Sequence, residues 1–118
     1  MKVSITQDAD RLTTYLASRK DPIICDIETT SLTVGKGRIL CIGFAPLRSK
    51  QVIVWIPKRL KDIAKLHLSR GVFHNAHFDM RWLHYHGATV RCEWDTMLMA
   101  HLLDENSKIG LKHLGMRL

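Results

Sequence analysis

Two acidic residues in the sequence are spaced so that a single strand would present both on one face. Asp26 and Glu28 follow Ile24 in a β-branched apolar run, and side chains two apart on a strand point the same way. Carboxylates flanked by apolar residues are costly to bury unless a cation or strong hydrogen-bond donors compensate. Oxygen-rich sites of this kind suit Mg²⁺ or Mn²⁺, whereas the plainer interpretation is a solvated pair at the end of a strand.

A third acid, Asp79, falls at the start of a predicted helix. Asn75 lies four residues earlier, so the two side chains are expected on one side of that helix. Taken alone, Asn75 would be an N-cap and Asp79 a first-turn acid favoured by the helix dipole. The combination with Asp26 and Glu28, in this chain order, favours a shared acidic site.

The elements that must position these acids begin with three apolar runs of strand length. The runs cover residues 22–28, 38–45 and 51–56. Five residues join the second run to the third, which favours antiparallel neighbours. Ahead of the runs, the helical spacing of Leu12 and Leu16 predicts a short helix over residues 5–18.

The second half of the chain predicts helices that alternate with short strands. Pro57 and Asp95 are typical of helix starts, and Gly87 is typical of a helix end. The predicted elements are a helix at 58–68, a strand at 71–74, a helix at 76–85, a short strand at 89–92 and a helix at 95–105. The predicted fold class is α/β: a ribonuclease-H-like mixed sheet, with three antiparallel strands, then βα units, and helices on both faces.

Composition predicts one small globular domain. The 118 residues are 46% hydrophobic and 25% charged, which excludes a disordered tail, a collagen and a repeat array. The formal net charge of +7 suggests a polyanionic partner such as nucleic acid. No segment is typical of a signal peptide or a membrane span, and the cysteines form no C-x-x-C pair, so a reducing cytoplasm is the expected location.

Three segments of the sequence resemble one enzyme family. The run D-I-E-T-T-S-L at 26–32 resembles the first motif of the DEDD 3′-5′ exonucleases, in the form found in proofreading domains of family A DNA polymerases. The run H-N-A-H-F-D at 74–79 resembles their second motif, and D-T-M-L-M-A-H-L-L-D at 95–104 resembles the helix that follows it. The resemblance covers residues 22–118.

The resemblance implies the chemistry of the acids. Enzymes of this family hydrolyse the terminal phosphodiester of single-stranded DNA with two divalent cations, Mg²⁺ or Mn²⁺. It implies that Asp26 bridges the cations, that Glu28 binds one of them and orients the attacking water, and that Asp79 holds the other. It also implies substrate contacts for four residues: Thr29, Leu32, Asn75 and Phe78.

One motif of that family is absent from the sequence. Its third motif, Y-x-x-x-D or H-x-x-x-x-D on a later helix, supplies the fourth carboxylate and positions the attacking water. The acids beyond Asp79 lack Tyr or His at that spacing; they are Glu93, Asp95, Asp104 and Glu105. A new helical pattern starts at Leu111 and Leu114, and the chain ends within it. We therefore expect a single domain over residues 1–118 without the C-terminal helices that carry this motif, with hydrolysis slow or absent unless another chain completes the site.

Three functions are compatible with these sequence features. The first is the exonuclease domain, or a fragment of one, of a DNA polymerase I-like protein in a bacterium or a phage-infected host cell. The second is a non-catalytic module of the same fold that binds nucleic acid or a polymerase. The third is a ribonuclease D-like domain that trims RNA, because the first two motifs hardly separate RNA from DNA substrates. The partners implied are a single-stranded 3′ end and a polymerase chain or second copy.

Overall fold

The computed structural model describes residues 1–103 as a six-stranded sheet with helices packed on it. The strands are β1 Lys2–Thr6, β2 Ile23–Thr29, β3 Ile39–Pro46, β4 Gln51–Trp55, β5 His67–Phe73 and β6 Thr89–Asp95. The helices are α1 Ala9–Ser18, α2 Ala76–Tyr85 and α3 Thr96–Leu103, with a short 3₁₀ helix at Leu60–Lys65. The helical pattern predicted at Leu111 and Leu114, and the end of the helix predicted at 95–105, lie outside the described residues.

The sheet is mixed, as the sequence predicts. Its order is β1-β4-β3-β2-β5-β6. The strand β3 is antiparallel to both β2 and β4, while β1 pairs parallel with β4, and β5 pairs parallel with β2 and β6. Three antiparallel strands followed by βα units therefore form the core of the fold.

The N-terminal edge strand β1 corrects one prediction. The apolar spacing predicts a helix over residues 5–18, but α1 begins at Ala9, where the side chain of Asp8 accepts a hydrogen bond from the backbone of Arg11 at 3.0 Å. The residues before it form β1, in register with β4. Val3 and Ile5 alternate with polar residues at the strand period, and pairing with a strand about 50 residues away in sequence is not visible in a short window.

The segment after Pro57 corrects a second prediction. The predicted helix at 58–68 is only the 3₁₀ helix, and β5 begins at His67 rather than at residue 71. Leu68 is buried between exposed neighbours, so its burial follows the strand period. The strand β6 likewise continues to Asp95 rather than to residue 92, because it pairs with β5 as far as Phe73.

The hydrophobic core lies on one face of the sheet. The residues of β2 that enter it are Ile23, Cys25 and Ile27. Side chains from α1, the 3₁₀ helix and α2 complete it, among them Leu12, Leu16, Ile63, Trp82 and Leu83. The alternate residues of β2, which include both acids, are exposed on the opposite face. The helix α3 contacts β5 and β6 and buries none of its residues.

The described helices are all too short or too polar to cross a membrane.

Candidate functional site

Asp26 and Glu28 lie side by side on the open face of β2, near its C-terminal end. The burial of β2 alternates strictly up to Glu28, so both carboxylates share a face, as their spacing predicts. Their neighbours across the strand pair are Gly43 and Cys41 of β3. Because Gly43 has no side chain, the space beside Asp26 is left open. Both carboxylates are exposed to solvent, so the burial cost that the apolar flanks suggested does not arise.

The third acid, Asp79, reaches this region from the first turn of α2. The parallel pairing of β2 with β5 stops at Ile24 and Val72, so the two strands part immediately before Asp26. The first turn of α2 begins where β5 ends, and the Asp79 carboxylate faces the backbone N–H of Ile27. Only 4% of Asp79 is exposed, which makes it one of two buried charged residues among those described.

The surroundings of Asp79 disfavour its ionised form. Burial is the largest cause that raises its pKa, and the nearby carboxylate of Asp26 is the second. The backbone N–H of Ile27 acts in the opposite direction, and the net result is a pKa of about 7. One oxygen, Oδ2, is buried without a hydrogen-bond partner. An unpartnered buried carboxylate oxygen is costly unless a proton or a cation is bound to it.

Within residues 1–103, no basic side chain forms a salt bridge with any of the three acids. Within residues 1–103, the acids that form salt bridges are Asp10, Asp21, Asp62 and Glu93. The same residues contain no set of three or more His, Cys, Asp or Glu side chains grouped closely enough to hold a metal ion as they stand. The three carboxylates are therefore electrostatic neighbours without a closed ligand shell. Hard anionic oxygen donors in this arrangement fit a divalent cation such as Mg²⁺ or Mn²⁺.

Two of the predicted substrate-binding residues lie just beyond the acids. Thr29 ends β2, and its hydroxyl donates a hydrogen bond to the carbonyl of Ser31 at 2.7 Å. Leu32, in the loop between β2 and β3, has 86% of its surface exposed. A large apolar side chain held in solvent next to an acidic cluster is available for contact with a ligand.

The other two predicted substrate-binding residues belong to the start of α2. Phe78 is partly buried against the core, and its ring centroid lies 6.3 Å from that of Trp82. Asn75 precedes the helix with φ 67° and ψ 64°, and its side chain makes no capping hydrogen bond. Asn75 therefore occupies the N-cap position, as the sequence predicts, but its side chain does not cap the helix.

The cap of α2 is supplied instead by Asp95, at the end of β6. Its carboxylate oxygens accept hydrogen bonds from the backbone N–H groups of Asn75 at 3.0 Å and Ala76 at 2.8 Å. Burial acts to raise the pKa of Asp95, but the backbone donors outweigh it and the pKa is lowered. The sequence predicts Asp95 as a cap of the following helix only. Its contact with α2 depends on the pairing of β5 with β6, which local sequence does not reveal.

Cys41 is a neighbour of the acids that the sequence motifs do not indicate, as is Asp95. It stands opposite Glu28 in the β2–β3 pair, half-buried on the same face. Burial raises the pKa of its thiol, and the charges of Glu28 and Asp26 raise it further. The thiol is thus held protonated beside the acids. Only the strand register could have identified it, because the two residues are far apart in sequence.

A comparison with protein families matches residues 2–118 to the family described as 3′-5′ exonuclease. No curated protein matches the chain at a significant level.

Solved nuclease structures have a similar fold. Brucella melitensis NrnC with bound Mg²⁺ has a TM-score of 0.70 and 17% identity, over 100% of this chain and 62% of that one. The catalytic core of RRP6 from Trypanosoma brucei has a TM-score of 0.63 and 16% identity, over 86% of this chain and 31% of that one. The RNase D of Trypanosoma brucei in complex with RNA U12 has a TM-score of 0.55 and 14% identity, over 84% of this chain and 40% of that one.

Brucella melitensis NrnC has also been solved bound to pGG, and that structure has a TM-score of 0.65 and 17% identity, over 99% of this chain and 59% of that one. The chain thus spans 56% to 62% of the length of the first nucleases that it matches. At these identities the similarity concerns the fold, which agrees with the mixed sheet predicted from the sequence.

Proposed function

The chain belongs to the 3′-5′ exonuclease family, and from that membership we propose that it hydrolyses the terminal phosphodiester at the 3′ end of a nucleic acid. The observation that carries this proposal is the convergence of Asp26, Glu28 and Asp79. They are drawn from two elements far apart in sequence, and no basic side chain within residues 1–103 forms a salt bridge with them.

The proposed cofactor is a pair of Mg²⁺ or Mn²⁺ ions. Asp26 would contact both, Glu28 one and Asp79 the other. When bound, the ions supply an activated water and stabilise the leaving 3′-oxygen. The residues themselves provide negative charge at the end of β2, and Asp79 provides a buried oxygen without a hydrogen-bond partner. Without a fourth carboxylate, we expect slow hydrolysis by this chain alone.

The proposed substrate contacts surround the same three acids. Leu32 would pack against the terminal base, and Thr29 would meet the terminal nucleotide. Phe78 would lie beneath the strand, and Asn75 would contact its backbone or sugar. The exposure of Leu32 and the partial burial of Phe78 support these roles. The formal net charge of +7 favours a polyanion in general.

The substrate class that we propose is single-stranded DNA, in a proofreading role beside a DNA polymerase I-like chain in the cytoplasm. The family A form of the first two motifs supports this choice. RNA is the alternative substrate: NrnC has been solved bound to pGG and the RNase D of Trypanosoma brucei with RNA U12. A ribonuclease D-like role would follow if RNA were degraded faster than DNA.

A non-catalytic binding module is the second candidate, and α3 favours it. This helix is predominantly apolar, yet none of its eight residues is buried, and Leu102 is 85% exposed. An apolar helix that the described residues leave largely uncovered is typical of an interaction surface. A polymerase chain or a second copy would be the partner, and sedimentation of the pure protein distinguishes a monomer from a self-associating chain.

The experiment is degradation of a 5′-labelled single-stranded DNA, with an RNA of the same sequence in parallel, in Mg²⁺ and in Mn²⁺. We expect products that shorten from the 3′ end with wild type and not with Asp26→Asn. Asp10→Asn removes an exposed acid on α1 and serves as the matched control. Equal product from wild type and Asp26→Asn would overturn autonomous hydrolysis, and binding without cleavage would favour the module.

A further inference from the structure

The carboxylate of Asp95 joins the starts of two helices. Its Oδ1 accepts hydrogen bonds from the backbone N–H groups of Asn75 and of Met97, both at 3.0 Å, and its Oδ2 accepts one from Ala76 at 2.8 Å. One side chain thus satisfies donors that α2 and α3 would otherwise leave without partners. Charge-assisted hydrogen bonds of this kind are stronger than neutral ones.

Thr96 adds a second connection to the same segment. Its hydroxyl donates a hydrogen bond to the carbonyl of Phe73 at 3.2 Å and lies 2.9 Å from Nδ1 of His74. The hydroxyl has one proton, which it donates to Phe73. It therefore accepts a hydrogen bond from His74 when Nδ1 of that ring carries the hydrogen. Asp95 and Thr96 together contact every residue from Phe73 to Ala76, and we call the two residues the 95–96 clasp.

The segment held by the clasp has an unfavourable backbone. Asn75 is the one non-glycine residue with positive φ among residues 1–103. A left-handed residue with a side chain costs about 1 kcal/mol, and such strain persists where surrounding contacts impose it. The clasp provides those contacts, since the N–H groups of Asn75 and Ala76 both point at Asp95.

The strained turn determines where α2 starts, and therefore where Asp79 lies. Asp79 is four residues beyond Asn75, in the first turn of a helix that begins at Ala76. A change in the entry angle of the helix would move its carboxylate relative to Asp26, because the side chain is carried rigidly on the helix. Asp95 itself is near enough to influence the charge of Asp79.

We propose that the 95–96 clasp is a positioning device for the acidic site: it fixes the turn at Asn75 so that Asp79 is held beside Asp26 and Glu28. The inference rests on the proposed function, in which these three acids hold divalent cations. Asp95 and Thr96 are positioning residues, because they act through the backbone of α2 and not on the cation or the substrate.

The test compares Mn²⁺ binding, measured by calorimetry, in wild type, Asp95→Ala, Thr96→Val and Thr96→Ser. We expect Asp95→Ala to weaken the affinity at least about tenfold, as removal of outer-shell partners does at other metal sites. Thr96→Val should weaken it less, and Thr96→Ser, which keeps the hydroxyl, should restore it. Amide hydrogen exchange of residues 75–79 should accelerate in the two weakened variants.

Asp62→Asn is the matched control for stability. Asp62 is also a buried acid, 5% exposed, but its partners are Lys65 on the 3₁₀ helix and Arg59 immediately before it. We expect this variant to lower the unfolding temperature without changing Mn²⁺ affinity. If Asp95→Ala proves unable to fold, the comparison of Thr96→Val with Thr96→Ser decides the question.

The outcomes separate the inference from the function on which it rests. If Asp95→Ala binds Mn²⁺ as tightly as wild type does, the positioning role is overturned and the metal site is left intact. If Asp95→Ala does not fold, the same conclusion follows from wild-type affinity in Thr96→Val. Absence of Mn²⁺ binding in the wild type would overturn the proposed metal site. Unchanged hydrogen exchange of residues 75–79 in the clasp variants would then overturn the clasp as well.

Discussion

Asp79 and Asp26 are electrostatic neighbours: Asp79 is buried on α2, and Asp26 is exposed on β2. Their proximity, added to the burial of Asp79, raises the pKa of Asp79 to about 7. Two carboxylates in such an arrangement repel each other unless a proton or a cation lies between them. We therefore expect this pair to couple the stability of the fold to pH and, at the proposed metal site, to divalent cations.

Asp79→Asn should stabilise the metal-free protein at pH 8. A carboxyl whose pKa rises on folding, here from 3.8 to about 7, contributes stability in acid that is lost as the pH rises through that window. Asn keeps an acceptor for the N–H of Ile27 and has no charge to lose. We expect a gain on the order of 4 kcal/mol at pH 8 and little change at pH 3.5, by urea unfolding in EDTA.

Asp10→Asn is the control for this measurement, since it removes an exposed acid at a distance from the site. A gain in Asp79→Asn that is the same at both pH values would contradict the proposed titration of Asp79.

Mn²⁺ should stabilise the protein more at pH 8 than at pH 6. The cation competes with the proton on Asp79, so metal affinity rises as that carboxyl ionises. At about 100 times the dissociation constant, a ligand adds about 2.7 kcal/mol to the stability of the native state. We expect the unfolding temperature to rise with Mn²⁺, to return to its starting value with EDTA, and to stay constant in Asp26→Asn. An equal rise in Asp26→Asn would place the cation elsewhere.

Local sequence predicts those parts of this fold that depend on local spacing. The strand around Asp26, the helix that carries Asp79 and its end before Gly87 follow from periodicity and turn chemistry. Gly87, with φ 90°, occupies the left-handed position that its residue type predicts after a helix. The shared face of Asp26 and Glu28 needs only the two-residue period of a strand.

The features that local sequence does not predict depend on pairing between distant segments. The strand β1 exists because β4 offers it a partner, and β6 continues to Asp95 because β5 pairs with it to its end. The role of Asp95 at the start of α2 depends on that same pairing. The left-handed turn at Asn75 has no signal of its own, since Asn is common at both N-caps and left-handed positions.

Leu32→Ala should weaken binding of a single-stranded oligonucleotide without changing stability. The side chain is exposed, so its loss should alter the free energy of unfolding by less than about 0.5 kcal/mol. Loss of the proposed contact with a terminal base should reduce the affinity about tenfold, because that contact would bury most of the leucine side chain. Fluorescence anisotropy with a 5′-labelled oligonucleotide in EDTA measures the affinity in the absence of hydrolysis.

Leu47→Ala is the matched control, because Leu47 is also an exposed leucine but lies in the loop between β3 and β4. An equal loss of affinity in both variants would contradict a specific role for Leu32.

Gly37→Ala should destabilise the protein by about 1–3 kcal/mol and also weaken oligonucleotide binding. Gly37 has φ +132°, and a Cβ there would lie 2.5 Å from Oγ1 of Thr30. That hydroxyl accepts the N–H of Arg38, and the backbone N–H of Thr30 donates to the carbonyl of Arg38, so the two contacts close the loop that carries Leu32.

Gly43→Ala is the control that separates backbone strain at residue 37 from the general cost of adding a methyl group at a glycine. At Gly43 the nearest atom to an added Cβ is the carbonyl oxygen of Asp26, at 3.8 Å, and φ there is not positive. Gly43→Ala should therefore be no less stable than wild type, since alanine loses less conformational freedom on folding. Equal destabilisation of the two variants in urea would show that φ at Gly37 is not what constrains the loop.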